Sequence, residues 1–180
     1  MNILFIGNSH TYYHDMPRKV ALLGLRDGVD CHTVMIAHGG WRLSQHVKEA
    51  DVKFNVKYGM YDFIIIQDHS YPIEFIEEFK EGVSTLATMA RNVGSIPLLY
   101  ETWTRVDDEK NQIKIHKLHE EVAEKNKIRL IPVGKYWWEF SSTHPSIDMY
   151  EEDGIHASDS GMDFVARCIW NTLIEIKNPV

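Results

Sequence analysis

One serine near the amino end and one Asp-His pair near the carboxyl end have the types and spacing that could do chemistry. Ser9 lies in the segment G-N-S-H-T directly after the apolar run Asn2–Gly7, and Asp153 precedes His156 by three residues. A serine hydroxyl becomes a nucleophile when a histidine takes its proton and a carboxylate orients the other ring nitrogen. Ser9, Asp153 and His156 are therefore candidates for an acyl-transfer site, which needs a nucleophile, a base and an orienting carboxylate.

Each of these signals is weak when it stands alone. A serine after a strand is commonly a helix cap or a turn former, and an isolated Asp-x-x-His is commonly a turn that ends in a surface histidine. The loop around Ser9 lacks G-x-G-x-x-G and the Lys-Ser/Thr of a phosphate loop, which disfavours a nucleotide site. A second serine, Ser70 in Asp68-His69-Ser70, is a poor nucleophile, because consecutive residues of extended chain point in alternating directions.

The elements that must position these residues alternate along the chain. Continuous apolar runs predict strands that are covered on both faces, as in a parallel sheet, and longer amphipathic stretches predict helices. The predicted strands are Asn2–Gly7, Cys31–Ile36, Phe63–Gln67, Ile96–Tyr100 and Arg129–Val133. The predicted helices run from Asp15 to about Gly28 and over Ile73–Asn92, Asp107–Asn126 and Ser158–Lys177. This repetition predicts a three-layer α/β/α sandwich that forms a single domain over residues 1–180.

Composition and charge exclude several classes of function. The 180 residues carry a formal net charge of −7, and no basic block appears. Nucleic-acid binders and proteins of anionic membranes need basic faces, so neither nucleic acid nor membrane is an expected partner. No apolar run reaches the roughly 18 residues of a membrane span, and no signal peptide is visible at the amino end. The sequence therefore predicts a cytoplasmic location.

Taken together, four short blocks resemble the SGNH/GDSL hydrolase family. They are Gly-Asn-Ser after the first strand, Gly40 after the second, a polar amide at Gln67 ending the third, and D-G-I-H-A-S before the last helix. The resemblance spans nearly the whole chain, and the blocks appear in the family's order. It implies a flavodoxin-like five-stranded sheet of order 2-1-3-4-5 and a Ser-Asp-His site. In that site the resemblance implies Ser9 as nucleophile, His156 as base and Asp153 as the orienting carboxylate. It also implies an oxyanion hole that includes the backbone N–H groups of Ser9 and Gly40.

The chain departs from the family pattern at two positions. The family usually has Asp before the serine, where this chain has Asn8, and its third block supplies an Asn amide to the oxyanion, where this chain has Gln67. Gln carries the same donor on one more methylene, so Gln67 is predicted to complete the oxyanion hole. A misplaced donor costs about 10²–10³ in turnover.

Histidines and tryptophans near the predicted site need separate interpretation. His10 adjoins the nucleophile and Trp41 follows Gly40, so both are predicted to line the substrate pocket. His116 and His119 lie among charged residues, which predicts a solvated helix face. A metal site needs further ligands and an ordered second shell, so no metal is expected, and the chemistry requires no organic cofactor.

The expected activity is hydrolysis of small soluble carboxylic esters, such as short-acyl esters or acetyl groups on a sugar. Five β-α units consume most of the chain and leave little for a lid. The segment 134–152, which is rich in aromatic and polar residues, is predicted to shape specificity. Two other classes stay open: a metal-dependent phosphoesterase, and a catalytically silent ligand-binding protein.

Overall fold

A computed structural model describes residues 1–178, and within them five strands form one parallel sheet; the last two residues of the predicted domain lie outside the described residues. The strands are β1 (Asn2–Gly7), β2 (His32–Ala37), β3 (Phe63–Ile66), β4 (Ile96–Tyr100) and β5 (Arg129–Ile131). Their order is β2-β1-β3-β4-β5, with every neighbouring pair parallel, which confirms the predicted topology. Strand order reverses beside β1, so the residues after β1 occupy the point where ligands bind in such sheets.

The described chain also contains eight α-helices and two short 3₁₀ turns. The helices are α1 (Ser9–Tyr12), α2 (Met16–Arg26), α3 (Leu43–His46), α4 (Ala50–Tyr58), α5 (Ile76–Asn92), α6 (Glu109–Asn126), α7 (Val133–Thr143) and α8 (Asp159–Lys177), and the 3₁₀ turns are Tyr13–Asp15 and Pro72–Glu74. The four predicted helices correspond to α2, α5, α6 and α8. No helix among the described residues is long and apolar enough to cross a membrane.

Helices α1, α3, α4 and α7 were not predicted, because their apolar patterns are short. In α4 only Val52 and Val56 are buried, whereas the aromatic rings of Phe54 and Tyr58 are exposed, so no wide apolar stripe marks this helix in the sequence. Helix α7 begins at Val133, the last residue of the predicted fifth strand, and otherwise lies within the segment 134–152 that was predicted to shape specificity.

The two faces of the sheet carry separate hydrophobic clusters, as a three-layer sandwich requires. Ile3 and Phe5 of β1 point to one face, where they join α2, α7 and α8. Leu4 and Ile6 point to the other, where they join residues of α3, α4, α5 and α6. Alternate side chains of a strand point to opposite faces, so burial on both sides explains why β1 reads as a continuous apolar run.

A short hairpin-like loop precedes α8 and carries Asp153 and His156. An isolated antiparallel bridge joins Tyr150 to Ala157, and the Glu151 N–H donates to the His156 carbonyl at 2.8 Å. Ser158 then caps α8, since its hydroxyl accepts the Gly161 N–H at 3.0 Å. These bonds close the loop at its base and fix it on the helix that follows.

Candidate active site

The predicted nucleophile begins the first helix directly after β1. Asn8 is the N-cap of α1, and its side-chain oxygen accepts the His10 N–H at 3.1 Å. The Asn8 carbonyl accepts the Thr11 N–H at 2.9 Å. The sharp change from strand to helix leaves Ser9 partly exposed at the carboxyl edge of the sheet.

Ser9, His156 and Asp153 meet in space, although 147 residues separate the serine from the histidine. The Ser9 hydroxyl donates to His156 Nε2 with an O–N distance of 2.9 Å. On the other side of the ring, Nδ1–H donates to Asp153 Oδ2 at 2.6 Å. The carboxylate fixes the tautomer in which Nε2 is free to take the serine proton, which is the arrangement of a nucleophile, its base and an orienting acid.

The Asp153 carboxylate is held ionised beside this ring. Burial alone would raise its pKa, but hydrogen bonds from the His156 ring and from the backbone N–H groups of Ile155 and His156 outweigh burial and lower the pKa to about 2. The Asp153 side chain is 43% exposed, so water screens part of this interaction. The carboxylate is therefore negatively charged at neutral pH.

The backbone N–H groups of Ser9 and Gly40 follow β1 and β2, two neighbouring strands, at the same edge of the sheet. Residues His38 to Trp41 form a tight turn in which the Trp41 N–H donates to the His38 carbonyl at 3.1 Å. Gly40 has a φ of 71°, a left-handed value that favours glycine at this position of the turn. Within residues 1–178, neither the Ser9 nor the Gly40 N–H is donated to a protein acceptor.

The side chain of Asn8 joins the Gly40 turn to the serine loop. Its Nδ2 donates to the Trp41 carbonyl at 3.0 Å and to the Asp68 carbonyl at 3.3 Å, and Asn8 itself is only 2% exposed. A carboxylate has no hydrogen to donate to either carbonyl. The structure therefore explains why this chain has Asn where the family usually has Asp.

Gln67 lies against the same loop, but its amide is fully engaged there. Its Oε1 accepts the Asn8 N–H at 2.9 Å and the Thr11 hydroxyl at 2.8 Å. Its Nε2 donates to Asn8 Oδ1 at 2.9 Å and to the Asp68 carbonyl. Because both amide hydrogens are used, Gln67 has none to offer to an oxyanion in this arrangement. In this arrangement Gln67 braces the serine loop, and its predicted role as the third oxyanion donor stays a prediction.

The two predicted pocket residues differ in their surroundings. His10 is only 4% exposed and packs with its ring centroid 5.0 Å from Trp103 and 5.4 Å from His156. Burial, and then the nearby His156, lowers the pKa of His10 to about 3, so this ring is neutral at working pH. Trp41 is partly buried and lies 4.2 Å from His38 on the turn that carries Gly40.

Aromatic residues support the loop of His156 in ways that the sequence analysis missed. The ring of Tyr13 stacks on His156, with centroids 4.1 Å apart and planes at 4°. Trp103 donates through Nε1 to the Ile155 carbonyl at 2.9 Å, and Trp137 of α7 stacks on Trp103 at 4.1 Å. Tyr13 lies four residues after Ser9, so a helical reading of residues 9–13 could have placed it near the site.

Helix α7 therefore supports the loop of His156 indirectly, because its Trp137 stacks on Trp103, which donates to that loop. It also lines a cavity of about 360 Å³ between α6 and α7, which includes Trp138 and His116 and no triad residue. The predicted influence of segment 134–152 on specificity stays a prediction.

The prediction that His116 and His119 lie on a solvated face was wrong. His119 is 2% exposed, and burial lowers its pKa. His116 is partly buried and donates through Nδ1 to Glu101 Oε2 at 2.7 Å, and this hydrogen bond raises the pKa of His116. Glu101 follows β4 inside the core, so its carboxylate draws that helix face inward. Among residues 1–178, no group of three or more His, Cys, Asp or Glu side chains is placed to hold a metal ion.

Comparisons with known proteins rest on structure. No protein-family model matches the sequence, and no curated protein matches it significantly. The chain superimposes on a DUF4886 family protein from Bacteroides uniformis with a TM-score of 0.80 and 18% identity, over 96% of this chain and 82% of that one. A lipolytic protein of the G-D-S-L family from Veillonella parvula matches with a TM-score of 0.69 and 13% identity, over 97% and 98% of the two chains. This chain has the SGNH hydrolase fold.

An acetyl esterase solved with an acetate ion has the same architecture. It matches with a TM-score of 0.71 and 11% identity, over 98% of this chain and 97% of that chain. Identities this low show a shared SGNH fold, and the chemistry of this chain has to be argued from its own side chains.

Proposed function

We propose that this SGNH-fold protein is a serine ester hydrolase that uses Ser9, His156 and Asp153. The observation that carries the proposal is the unbroken relay of hydrogen bonds from the Ser9 hydroxyl through the His156 ring to the Asp153 carboxylate, at 2.9 Å and 2.6 Å. In ester cleavage, His156 Nε2 takes the serine proton while Ser9 Oγ attacks the ester carbonyl. The same imidazolium then protonates the departing alcohol, and His156 afterwards activates water to release the acid.

The backbone N–H groups of Ser9 and Gly40 are proposed to stabilise the oxyanion. Both lack an acceptor within residues 1–178, and the Asn8 side chain ties their two loops together. Preorganised backbone donors aimed at developing charge are a large part of acyl-transfer catalysis. A hole of two backbone donors, with Gln67 bracing the serine loop, is the arrangement that these hydrogen bonds favour.

The proposed substrates are small soluble esters with short acyl groups, including acetyl groups on carbohydrates. The histidine side chain of the relay is 20% exposed and that of Asp153 is 43% exposed, so the reacting groups lie near the surface. Short acyl groups need little apolar burial in such a site. The shared fold with an acetyl esterase agrees with this substrate class.

The test is covalent labelling combined with turnover. A fluorophosphonate probe should label Ser9, and Ser9→Ala should abolish labelling and lower kcat by at least about 10³-fold. Ser70→Ala is the matched control, since Ser70 also follows a strand at this edge and should leave both readouts unchanged. With p-nitrophenyl esters from acetate to octanoate, kcat/KM should fall as the acyl chain lengthens.

Other outcomes would contradict the proposal. Activity that survives Ser9→Ala but disappears with a chelator would identify a metal-dependent phosphoesterase or esterase. Binding of esters without turnover would identify a catalytically silent protein. A preference for octanoate over acetate would reject the short-acyl assignment alone.

A further inference from the structure

The ring of Tyr13 lies flat against the imidazole of His156. The ring centroids are 4.1 Å apart and the planes meet at 4°, whereas the other ring beside His156, that of His10, is tilted by 38° at 5.4 Å. A parallel contact at this separation covers one face of the imidazole. It leaves both nitrogens free for their partners, since Nε2 faces Ser9 and Nδ1 faces Asp153.

A strained turn directly follows Tyr13. The next two residues, His14 and Asp15, have φ values of 47° and 52°, in the left-handed region that non-glycine residues occupy at a cost in free energy. The His14 ring contacts Glu151, with Nε2 2.5 Å from Oε1. The Glu151 N–H in turn donates to the His156 carbonyl at 2.8 Å. The strained turn and the loop of His156 are therefore joined at two points, the aromatic stack and the His14–Glu151 contact.

We propose that Tyr13 is a positioning residue for ester hydrolysis, whose ring holds the His156 imidazole toward Ser9 and stabilises its protonated form. This inference rests on the proposed function. The step concerned moves one proton from Ser9 Oγ to His156 Nε2 while the serine oxygen forms its bond to the ester carbon. The bond between His156 and Asp153 stays in place, and the new positive charge resides on the imidazole ring.

The stack acts more strongly on the protonated ring than on the neutral one. The face of a tyrosine ring is negative, so it attracts a cation and has only a weak interaction with a neutral imidazole. The contact therefore strengthens as His156 gains charge, and only an interaction that strengthens in the transition state accelerates the chemical step. His10 does not oppose this effect, because burial lowers its pKa to about 3 and keeps it neutral.

The stack also limits rotation of the imidazole. With one face covered by Tyr13, the His156 ring cannot turn about its χ2 bond unless the tyrosine moves. A loose base spends less time in hydrogen-bond reach of the nucleophile, which lowers turnover more than substrate affinity. Both effects predict a loss in kcat with little change in KM.

The experiment compares Tyr13→Phe and Tyr13→Leu with p-nitrophenyl acetate as substrate. Tyr13→Phe keeps the aromatic ring, so its kcat should stay within about twofold of the wild-type value. Tyr13→Leu should lower kcat about 5- to 30-fold and leave KM within about twofold. Tyr58→Leu is the matched control, since Tyr58 is an exposed tyrosine of α4 that also contacts an aromatic ring, that of Phe54. This control should leave kcat unchanged.

Thermal melting of each variant separates catalysis from folding. Tyr13→Met, which fills similar space without a π face, replaces the Leu variant if that variant melts below the assay temperature. A wild-type kcat in a folded Tyr13→Leu or Tyr13→Met variant overturns this inference. An equal loss of kcat in Tyr13→Phe and Tyr13→Leu also overturns it. An inactive wild-type protein overturns the proposed function together with this inference, whereas Ser9-dependent activity that ignores Tyr13 overturns this inference alone.

Discussion

Two of the histidine–carboxylate pairs in the described part of the chain have nearly equal geometry but different surroundings. His156 donates through Nδ1 to Asp153 at 2.6 Å, and His116 donates through Nδ1 to Glu101 at 2.7 Å. The difference lies at the second nitrogen of each ring. Nε2 of His156 faces the hydroxyl of Ser9 at 2.9 Å, whereas Nε2 of His116 lies 3.3 Å from the carboxylate of Glu120.

The carboxylates of the two pairs also differ in burial. Asp153 is 43% exposed on a loop, whereas Glu101 is fully buried and also accepts the Gln112 side-chain N–H at 2.7 Å. A proton can leave Ser9 for a neutral imidazole, but an imidazole between two carboxylates favours its charged form and offers no free base. The first pair therefore has the surroundings that the proposed proton transfer requires, whereas the second pair joins β4 to α6.

The largest expected effect comes from removing each histidine in turn. His156→Ala should lower kcat by about 10⁴–10⁶-fold and change the free energy of unfolding by less than about 1 kcal/mol. His116→Ala should leave kcat within about threefold but lower the free energy of unfolding by about 1–3 kcal/mol, since it leaves a buried carboxylate less well paired. Steady-state kinetics and urea unfolding check both values, and a large kcat loss in His116→Ala would break the comparison.

The stability lost in His116→Ala should itself depend on pH. The hydrogen bond to Glu101 raises the folded-state pKa of His116 above its ordinary value of 6.5. The stabilisation is therefore fully present below pH 6.5 and is lost as the pH rises through the higher folded-state value. Urea unfolding at pH 6 and pH 9 should show the larger difference between wild type and variant at pH 6.

The second effect comes from neutralising each carboxylate without changing its size. Asp153→Asn should lower kcat by about 10³–10⁴-fold, because an amide no longer fixes the tautomer in which His156 Nε2 is a base. Glu101→Gln should leave kcat within about threefold and lower the free energy of unfolding by about 1–3 kcal/mol. Equal losses of activity in the two variants would show that Glu101 also governs the reaction.

The smallest effect concerns a third carboxylate, which has no histidine partner. Asp68 is 3% exposed with no hydrogen-bond partner for Oδ2 within the described chain, and burial raises its pKa to about 6. An acid whose folded-state pKa is raised destabilises the fold as pH rises from about 4 to 6. Asp68→Asn should therefore stabilise the protein by about 1–3 kcal/mol at pH 7 and leave stability at pH 4 nearly unchanged. Urea unfolding from pH 4 to pH 7 measures the difference in the free energy of unfolding between Asp68→Asn and the wild type. A variant that is less stable than the wild type at pH 7 would contradict the prediction.

Local sequence determined the strands, and the resemblance of four short blocks to a known family indicated the strand order and the three residues of the relay. The strands β1 and β4 were predicted residue for residue, because continuous apolar runs of that length are typical of strands buried on both faces. Ser9, Asp153 and His156 were assigned because the short segments that carry them, taken together and in order, resemble the blocks of the SGNH/GDSL family. Gly40 was assigned from the same resemblance, whereas Asn8 was noted only as a departure from the family pattern.

Tertiary structure alone decided what the neighbouring polar groups do. The sequence cannot show that the Gln67 amide donates to Asn8 and to the Asp68 carbonyl. It also cannot show that His116 is hydrogen-bonded to the buried Glu101, since this contact joins residues of different elements. The same holds for Tyr13, whose contact with His156 spans 143 positions of the chain. A residue's type limits which hydrogen bonds and ring contacts it can make, but the packing of distant segments decides which partner it meets.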